Sequence, residues 1–340
     1  MNVIISFIIL FLISFVLTFS VRKYALRKNI IDLPNFRSSH VKPTPRGGGV
    51  AIVISILVAL LYSYISQFIS LNDFFIIGGS CLLIALLGFC DDHAHINSML
   101  RLSIHFITAT FIVFSLNGFA QVSAQVSVFN NLNLGFFTNI LAILFLVWML
   151  NLYNFMDGIN GIASIEAISV GLSLALLYSW YDINNFILLA ITSIVCGFLV
   201  WNFPKAKIFM GDVGSSFLGF LFAVLALYAL KIDFKLFLAW IICLGVFIVD
   251  ATFTIIRRIL RGEKIYQAHR SHAYQYAARY FDSHTPVTLA VLIINLIWLL
   301  PCAFFVLNKA ISPLVGLIIA YFPLIILAIY FNAGQLEHKT

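Results

Sequence analysis

Long apolar runs, each about twenty residues, alternate with short polar segments along almost the whole chain. Eleven such runs start near Asn2, Gly48, Phe74, Leu102, Thr138, Ile159, Asn185, Val213, Phe234, Val287 and Ile311. A helix needs about 20 mostly apolar residues to cross the hydrocarbon core of a bilayer. The pattern therefore predicts an all-α, polytopic membrane protein with eleven transmembrane helices in a single domain, residues 1–340. No low-complexity linker or internal repeat divides it. The first run has no basic region before it and is followed by Arg22 and Lys23, so it reads as a retained anchor rather than a cleavable signal.

Composition sharpens the membrane reading. The chain of 340 residues is 62% hydrophobic and 10% charged, against about 25% charged in a soluble domain. Basic residues then give an orientation. If the N-terminus lies outside, 17 of the 20 lysines and arginines fall in inner segments, and only Lys231, Lys235 and Lys309 fall outside. An odd number of spans places the C-terminus in the cytoplasm. The net charge of +7 is thus expected at the inner surface, facing anionic lipid and anionic substrates. No nucleic-acid partner is implied. The cysteines, Cys81, Cys90, Cys196, Cys243 and Cys302, show no metal-ligand pairing and read as small buried hydrophobes without disulfides. Segment 117–135 is polar and reads as a small external hairpin.

The acidic residues point to chemistry. Asp91, Asp92, Asp157, Asp212 and Asp250 all fall at inner ends of spans. Carboxylates there are expensive unless paired or bound to metal. Capping accounts for one of them, but hardly for five from separate segments. Most histidines (His40, His93, His95, His269, His272, His284, His338) lie in inner segments too, while His105 sits one turn into a span, where a satisfied polar group is expected.

Five motifs carry the candidates. Arg46 precedes three glycines, Gly47 to Gly49, which let backbone approach a ligand and present N–H groups to an anion; a flexible entry to the second span is the simpler alternative. Asp91 and Asp92 are adjacent carboxylates that repel unless a cation lies near. Oxygen-rich sites of this kind suit Mg²⁺, against one helix cap beside one solvated acid. Arg101 follows and can reach a phosphate. Asn151, Asn154 and Asp157 recur on one helical side, ahead of Gly158, Asn160 and Gly161. Phe209-Met-Gly-Asp212-Val-Gly-Ser215 places a glycine-flanked carboxylate at a helix start, where a cation and a phosphate can both be met. The last inner segment carries Arg257, Arg258, Arg261 and Lys264, then Ala268-His269-Arg270-Ser271-His272, cationic donors suited to a diphosphate. Membrane anchoring explains at least one of these arginines, and Asp250 has the option of pairing with Arg257 or Arg258.

Taken in order, these motifs resemble the polyprenyl-phosphate N-acetylhexosamine-1-phosphate transferases of glycosyltransferase family 4, over almost the whole chain. The likeness is strongest to the bacterial branch that starts O-antigen or related cell-surface glycans. It implies transfer of a sugar 1-phosphate from a UDP-N-acetyl-sugar to undecaprenyl phosphate, releasing UMP, with Mg²⁺ (or Mn²⁺) at the cytoplasmic face of the bacterial inner membrane. On the family pattern Asp212 and Asn154 look like metal ligands. Asp91, Asp92, Asp157 and His272 look catalytic. Arg46, Arg101, Asn151, Asn160, Phe209, His269 and Arg270 look like substrate contacts, with Phe209 stacking on uracil. The family also implies a homodimer. The run of adjacent histidines of the peptidoglycan-precursor branch is replaced here by His-Arg-Ser-His, which argues against UDP-N-acetylmuramoyl-pentapeptide. In-line attack by the lipid phosphate and a two-step route through an aspartyl-phosphate both remain open. A secondary transporter is the main rival, but it would place its site near the bilayer midplane, where Glu166 is the one carboxylate well inside a span; a nucleotide-sugar-binding scaffold without activity is the other.

Overall fold

The computed structural model describes residues 3–34, 39, 42–94, 96–119, 135–263 and 269–336. The expected external hairpin lies almost wholly outside these residues, as do His40, His95, His338, Lys264 and Ala268.

Helices dominate, because backbone in lipid must satisfy its own hydrogen bonds. They are α1 (Val3–Arg27), α2 (Gly49–Ile65), α3 (Leu71–Ala94), α4 (Ser98–Ser115), α5 (Gly135–Met156), α6 (Ile162–Trp180), α7 (Phe186–Asn202), α8 (Asp212–Ile232), α9 (Phe234–Cys243), α10 (Gly245–Leu260), α11 (Ala273–Tyr280), α12 (His284–Ile293), α13 (Leu300–Leu307) and α14 (Pro313–Tyr330). A π-helical turn, Ile294–Leu299, joins α12 to α13. Pro301 just beyond it has no N–H to continue an α-helical ladder, so the register widens there. A two-residue ribbon pairs Ile31 with Pro45 and Asp32 with Thr44.

Each expected run coincides with a helix that starts within about four residues of it. Among the described residues, eight helical stretches are long and apolar enough to cross a membrane, and α9 with α10 makes a ninth if taken as one span. The apolar helices α2 and α7 are shorter, at 17 residues each. The protein is a multi-pass membrane protein. The run from Phe234 is not one straight span, because α9 and α10 meet at 73°. Gly245 follows the bend with the Tyr321 ring against it, and Tyr321 Oη donates to Ile241 O at 2.7 Å. That bond takes up a carbonyl at the break.

The helix α8 is the buried post of the bundle, with Phe217, Phe220 and Phe222 fully enclosed. Glycines let its neighbours approach at backbone distance. A Cβ on Gly49 would stand 2.3 Å from Gly214 Cα, and one on Gly219 would meet Tyr153 Cβ at 2.5 Å. Large apolar side chains cover the outside instead, such as Ile8 and Leu12 on α1, Phe111 on α4 and Phe322 on α14, as a lipid-facing surface requires.

Two expectations need correction. Cys90 is exposed near the end of α3 and Cys196 is half-buried, whereas Cys81, Cys243 and Cys302 are buried. His105 is buried, yet its Nδ1 has no hydrogen-bond partner among the described residues. Glu166 is fully buried in α6, where its Oε2 accepts from Asn295 Nδ2 at 2.7 Å, and Asn295 also reaches Ser169 Oγ.

Candidate active site

The site begins with a glycine. Gly88, near the end of α3, lies so close to α8 that a Cβ would come within 2.7 Å of the Asp212 carbonyl carbon and oxygen. This contact sets the last turn of α3 against the first turn of α8. Asp92 then accepts from Asp212 N at 3.1 Å and Val213 N at 3.4 Å. It acts as an N-terminal cap donated by another helix, at the end where the helix dipole favours an anion. Gly211 takes φ +75° and has the Asp92 carboxylate against it, so a side chain there would be both strained and blocked.

Two arginines bind this group. Arg46, held after the β-ribbon, pairs with Asp92 and stands 3.6 Å from Asp212 Oδ1. Arg101, on the first turn of α4, pairs with Asp91 and stands 3.4 Å from Asp212 Oδ2. Asp91 also accepts Ile96 N at 2.7 Å, closing the turn between α3 and α4. Burial opposes the Arg46 charge, but Asp92 and Asp212 outweigh it and hold its pKa above the usual value. The Asp92 side chain is fully enclosed, while a quarter of the Asp212 side chain stays accessible.

Asp212 faces a cavity of about 200 Å³ that Asn154, Asp157, Phe209 and Ser215 also line. Asn154 Nδ2 donates to Ser215 Oγ at 2.9 Å, tying α5 to α8. Asp157 follows the last turn of α5. Burial, then Asp212 and Asp92, raise its pKa well above the ordinary carboxylate range, against the lowering effect of Arg46. Four carboxylates and two guanidinium groups thus share one region. Among the described residues the cavity wall carries three carboxylates, Asp32, Asp157 and Asp212, with amide and hydroxyl oxygens beside Arg46 and His284, and carboxylate oxygens are chemistry Mg²⁺ accepts when substrate phosphates complete its shell. Among the described residues no three His, Cys, Asp or Glu side chains converge on one point as a closed metal site.

A second cavity of about 580 Å³ adjoins the first. Ser39, Asn160, Phe209, Gln275 and His284 line both. Its remaining wall is mainly basic, with Lys42, Lys205, Arg270 and Arg279 against the single acid Asp282 among the described residues. Backbone bonds lock Phe209 into this junction: its N–H donates to Pro45 O and its carbonyl accepts from Gly48 N. Asn160 N–H donates to His284 Nδ1 at 3.3 Å, which leaves the His284 proton on Nε2 for Ser39 O at 3.0 Å. Asn160 Nδ2 reaches Pro204 O.

The His-Arg-Ser-His segment is placed differently from its neighbours. His272 is 2% exposed and lines neither cavity. Its Nδ1 faces Asp250 Oδ1 at 3.3 Å, and Asp250 also accepts Ala273 N and Tyr274 N. Asp250 therefore caps α11 rather than pairing with Arg257 or Arg258. Arg258 instead bonds Glu263, and Arg257 donates to Ala333 O. His269 stacks near His272, with ring centroids 4.9 Å apart. Burial, then His272 and Arg258, push its pKa down to about 3, against Asp250. From α11, Tyr274 Oη donates to Phe155 O at 2.9 Å. It passes over Gly158, where a Cβ would clash at 2.1 Å. The segment thus builds the wall that delivers Arg270 and Gln275 to the cavities.

Among the predicted residues, Asp91, Asp92, Asp212, Arg46 and Arg101 form one charged cluster. Asn154, Asp157, Asn160, Phe209 and Arg270 line the adjoining space. Asn151 donates to Val147 O of its own helix and lines neither cavity. Gln275 and His284 were missed as site residues. A glutamine three residues after a helix cap is a capping signal, and His284 carried only its inner-loop position.

The family model of glycosyl transferase family 4 matches residues 74–230. The chain is 32% identical over 303 residues to a probable undecaprenyl-phosphate N-acetylglucosaminyl 1-phosphate transferase of Bacillus subtilis, covering 87% of this chain and 83% of the relative. It is 33% identical over 214 residues to a phospho-N-acetylmuramoyl-pentapeptide-transferase of Petrotoga mobilis, covering 60% and 65% of the two chains. Over 315 residues it is 27% identical to a decaprenyl-phosphate N-acetylglucosaminephosphotransferase of Mycobacterium tuberculosis, covering 82% and 76%. The chain belongs to glycosyl transferase family 4, the family of the polyprenyl-phosphate N-acetylhexosamine-1-phosphate transferases that its motifs resemble.

Proposed function

We propose that this protein transfers N-acetylhexosamine 1-phosphate from a UDP-sugar to undecaprenyl phosphate, with Mg²⁺, as the first step of a lipid-linked surface glycan. The observation that carries this reading is the junction of a mainly acidic cavity (Asp32, Asp157 and Asp212, with Arg46) and a mainly basic one (Lys42, Lys205, Arg270 and Arg279, with Asp282). A diphosphate bridging a metal and a sugar needs both. The B. subtilis relative favours N-acetylglucosamine as the sugar.

An oxygen of the lipid phosphate attacks the sugar-bearing phosphorus, the bond to the UMP oxygen breaks, and UMP leaves. The lipid phosphate has a second pKa of about 6, so it needs little deprotonation. The obstacle is bringing two anions together. Bound at Asp212 and Asn154, Mg²⁺ would neutralise the charge that develops on the phosphoryl oxygens. Arg270 and the neighbouring lysines hold the diphosphate, while Phe209 and Asn160 sit where uracil would stack and bond. The oxygens of Asp91 and Asp92 are already taken by Arg101, Arg46 and backbone N–H groups. That favours direct transfer over an aspartyl-phosphate. The basic residues favour an active site on the cytoplasmic face of the inner membrane, with eleven spans and the N-terminus outside. Glu166 sits in a closed contact with Asn295 and Ser169, away from both cavities, which disfavours a transporter.

The test is UMP release by the purified protein from undecaprenyl phosphate and a panel of UDP-sugars, with and without Mg²⁺. UMP from UDP-N-acetylglucosamine is expected, and little from UDP-N-acetylmuramoyl-pentapeptide. Silence across the panel would remove the proposal.

A further inference from the structure

A third cavity, of about 650 Å³, opens at the opposite end of the bundle. Asp73 on its wall is 18 residues from Asp91 along α3, about 27 Å at 1.5 Å per residue. The active-site reading leaves this cavity unused. Its size is that of a small-molecule site. Its depth is apolar and closed: Ile77, Leu188, Ala229 and Trp240 are each at most 4% exposed. Its mouth is open and mixed: Phe68, Leu71 and Ile232 are 47%, 48% and 59% exposed, beside exposed Gln67, Ser70 and Asn184. The apolar part of this rim, at the end of membrane-length helices, is placed to meet lipid, and its polar part to meet the interface.

The polar content of the wall is one-sided. Among the described residues Asp73 is the one charged member of the lining, with five aromatic residues, Tyr64, Phe68, Tyr178, Tyr228 and Trp240. The carboxylate is oriented by Tyr228 Oη at 2.7 Å and Ser70 Oγ at 2.6 Å. Both donors are neutral. Lys231, the basic residue of the last turn of α8, bonds Leu116 O and lies 5.6 Å from the Phe119 ring centroid, so it makes no direct contact with Asp73 although its charge is near enough to act on it. Aromatic faces and a carboxylate together attract an ammonium group.

We propose that this cavity binds one membrane lipid with an ammonium headgroup, its chain in the apolar depth and its ammonium at Asp73. Charge complementarity and the lipid-facing mouth select this occupant over an anionic lipid or a water-borne solute. The full-length protein is placed in nanodiscs of equal phosphatidylethanolamine and phosphatidylglycerol, and retained lipid is read by native mass spectrometry. One phosphatidylethanolamine per chain is expected, favoured by about fivefold, the upper size of one exposed carboxylate–ammonium pair. Ala229→Trp should empty the cavity, and Asp73→Asn should keep a lipid but lose the preference. No retained lipid in the wild type, equal retention of the two lipids, or an unchanged preference in Asp73→Asn would overturn the proposal. Should Ala229→Trp fail to insert, quenching by brominated-chain phosphatidylethanolamine is compared between wild type and Trp240→Phe. A saturable difference at Trp240 supports the site, and none refutes it.

Discussion

The contact between α3 and α8 is built in opposite ways at its two ends. Where α3 ends, Gly88 brings it to backbone distance of Asp212, and three carboxylates are held by two arginines. Where α3 begins, one carboxylate, Asp73, is held by two hydroxyl groups. Neutral partners are enough to join two helices. Paired charges withdrawn from water are weak sources of stability, because desolvation offsets most of their attraction. Concentrating Asp91, Asp92, Asp157 and Asp212 near Arg46 and Arg101 is therefore explained by what the site binds, and the Asp73 end shows what the same helices do when only a hydroxyl contact is required.

The largest effect expected from breaking this contrast is at Asp212. Asp212→Asn keeps the size of the side chain and the backbone contact with Asp92. It should lower UMP release by at least ~100-fold, the scale seen for loss of one transition-state electrostatic group, with the melting midpoint close to wild type. Turnover within a few-fold of wild type would move the chemistry away from this carboxylate. At the other end, Asp73→Asn should leave turnover unchanged.

Next comes a pair of glycines on one helix. Gly88→Ala drives a methyl into the Asp212 backbone, whereas Gly79 has nothing within 4 Å of its would-be Cβ. Gly88→Ala should destabilise by about 1–3 kcal/mol, as overpacking does, and should lower activity as the carboxylates separate. Gly79→Ala should be neutral or stabilise by up to about 1 kcal/mol through helix propensity. Denaturation of both variants in the same detergent checks this. Equal behaviour would mean that the close approach at Gly88 is not what assembles the site. A smaller effect is expected from Arg270→Ala, on the rim of the basic cavity. KM for the UDP-sugar should rise about tenfold, close to 1.4 kcal/mol, with little change in expression. A fall in protein level with KM intact would make Arg270 a structural residue.

Much of the fold was legible because lipid leaves little choice. A segment in hydrocarbon must be helical and about twenty residues long, so apolar length alone located α1, α3, α5 and α8. The candidate site was legible where the acid itself is unusual, as at Asp91-Asp92 and at Asp212 between glycines. Other features depend on partners far along the chain. Asp92 caps a helix that starts 120 residues later. Gly88 looks like any small residue in an apolar run until α8 is laid against it. The bend at Leu244 is supported by Tyr321, 80 residues beyond the carbonyl it binds. His272 stood out for its chemistry, but its neighbours Asp250 and Phe155 place it behind the cavity wall, and the side chains of this stretch that reach the cavities are those of Arg270 and Gln275. Periodicity does not tell which member of a motif faces inward when the segment is a short capped helix.

The smallest effect concerns His269, which tests how the wall differs from the acidic cluster in its response to pH. The ring is half-buried, and Ser271 N–H points at its Nδ1 at 3.4 Å, with Ser271 Oγ at 3.0 Å. Burial, the adjacent His272 and Arg258 all disfavour a proton, and the folded pKa falls to about 3 from an ordinary value of 6.5. The unfolded chain therefore binds more protons than the folded one between those two values. Stability from this residue is complete above pH 6.5 and declines as pH falls toward 3. His269→Asn removes the titrating ring while keeping a polar side chain. Its melting midpoint should fall less steeply than that of the wild type on acidification from pH 6.5 to 4, although the carboxylates contribute the same acid sensitivity to both. Parallel curves would mean that His269 takes up its proton in the folded state as readily as in the unfolded one, and that the wall is open to water at this ring.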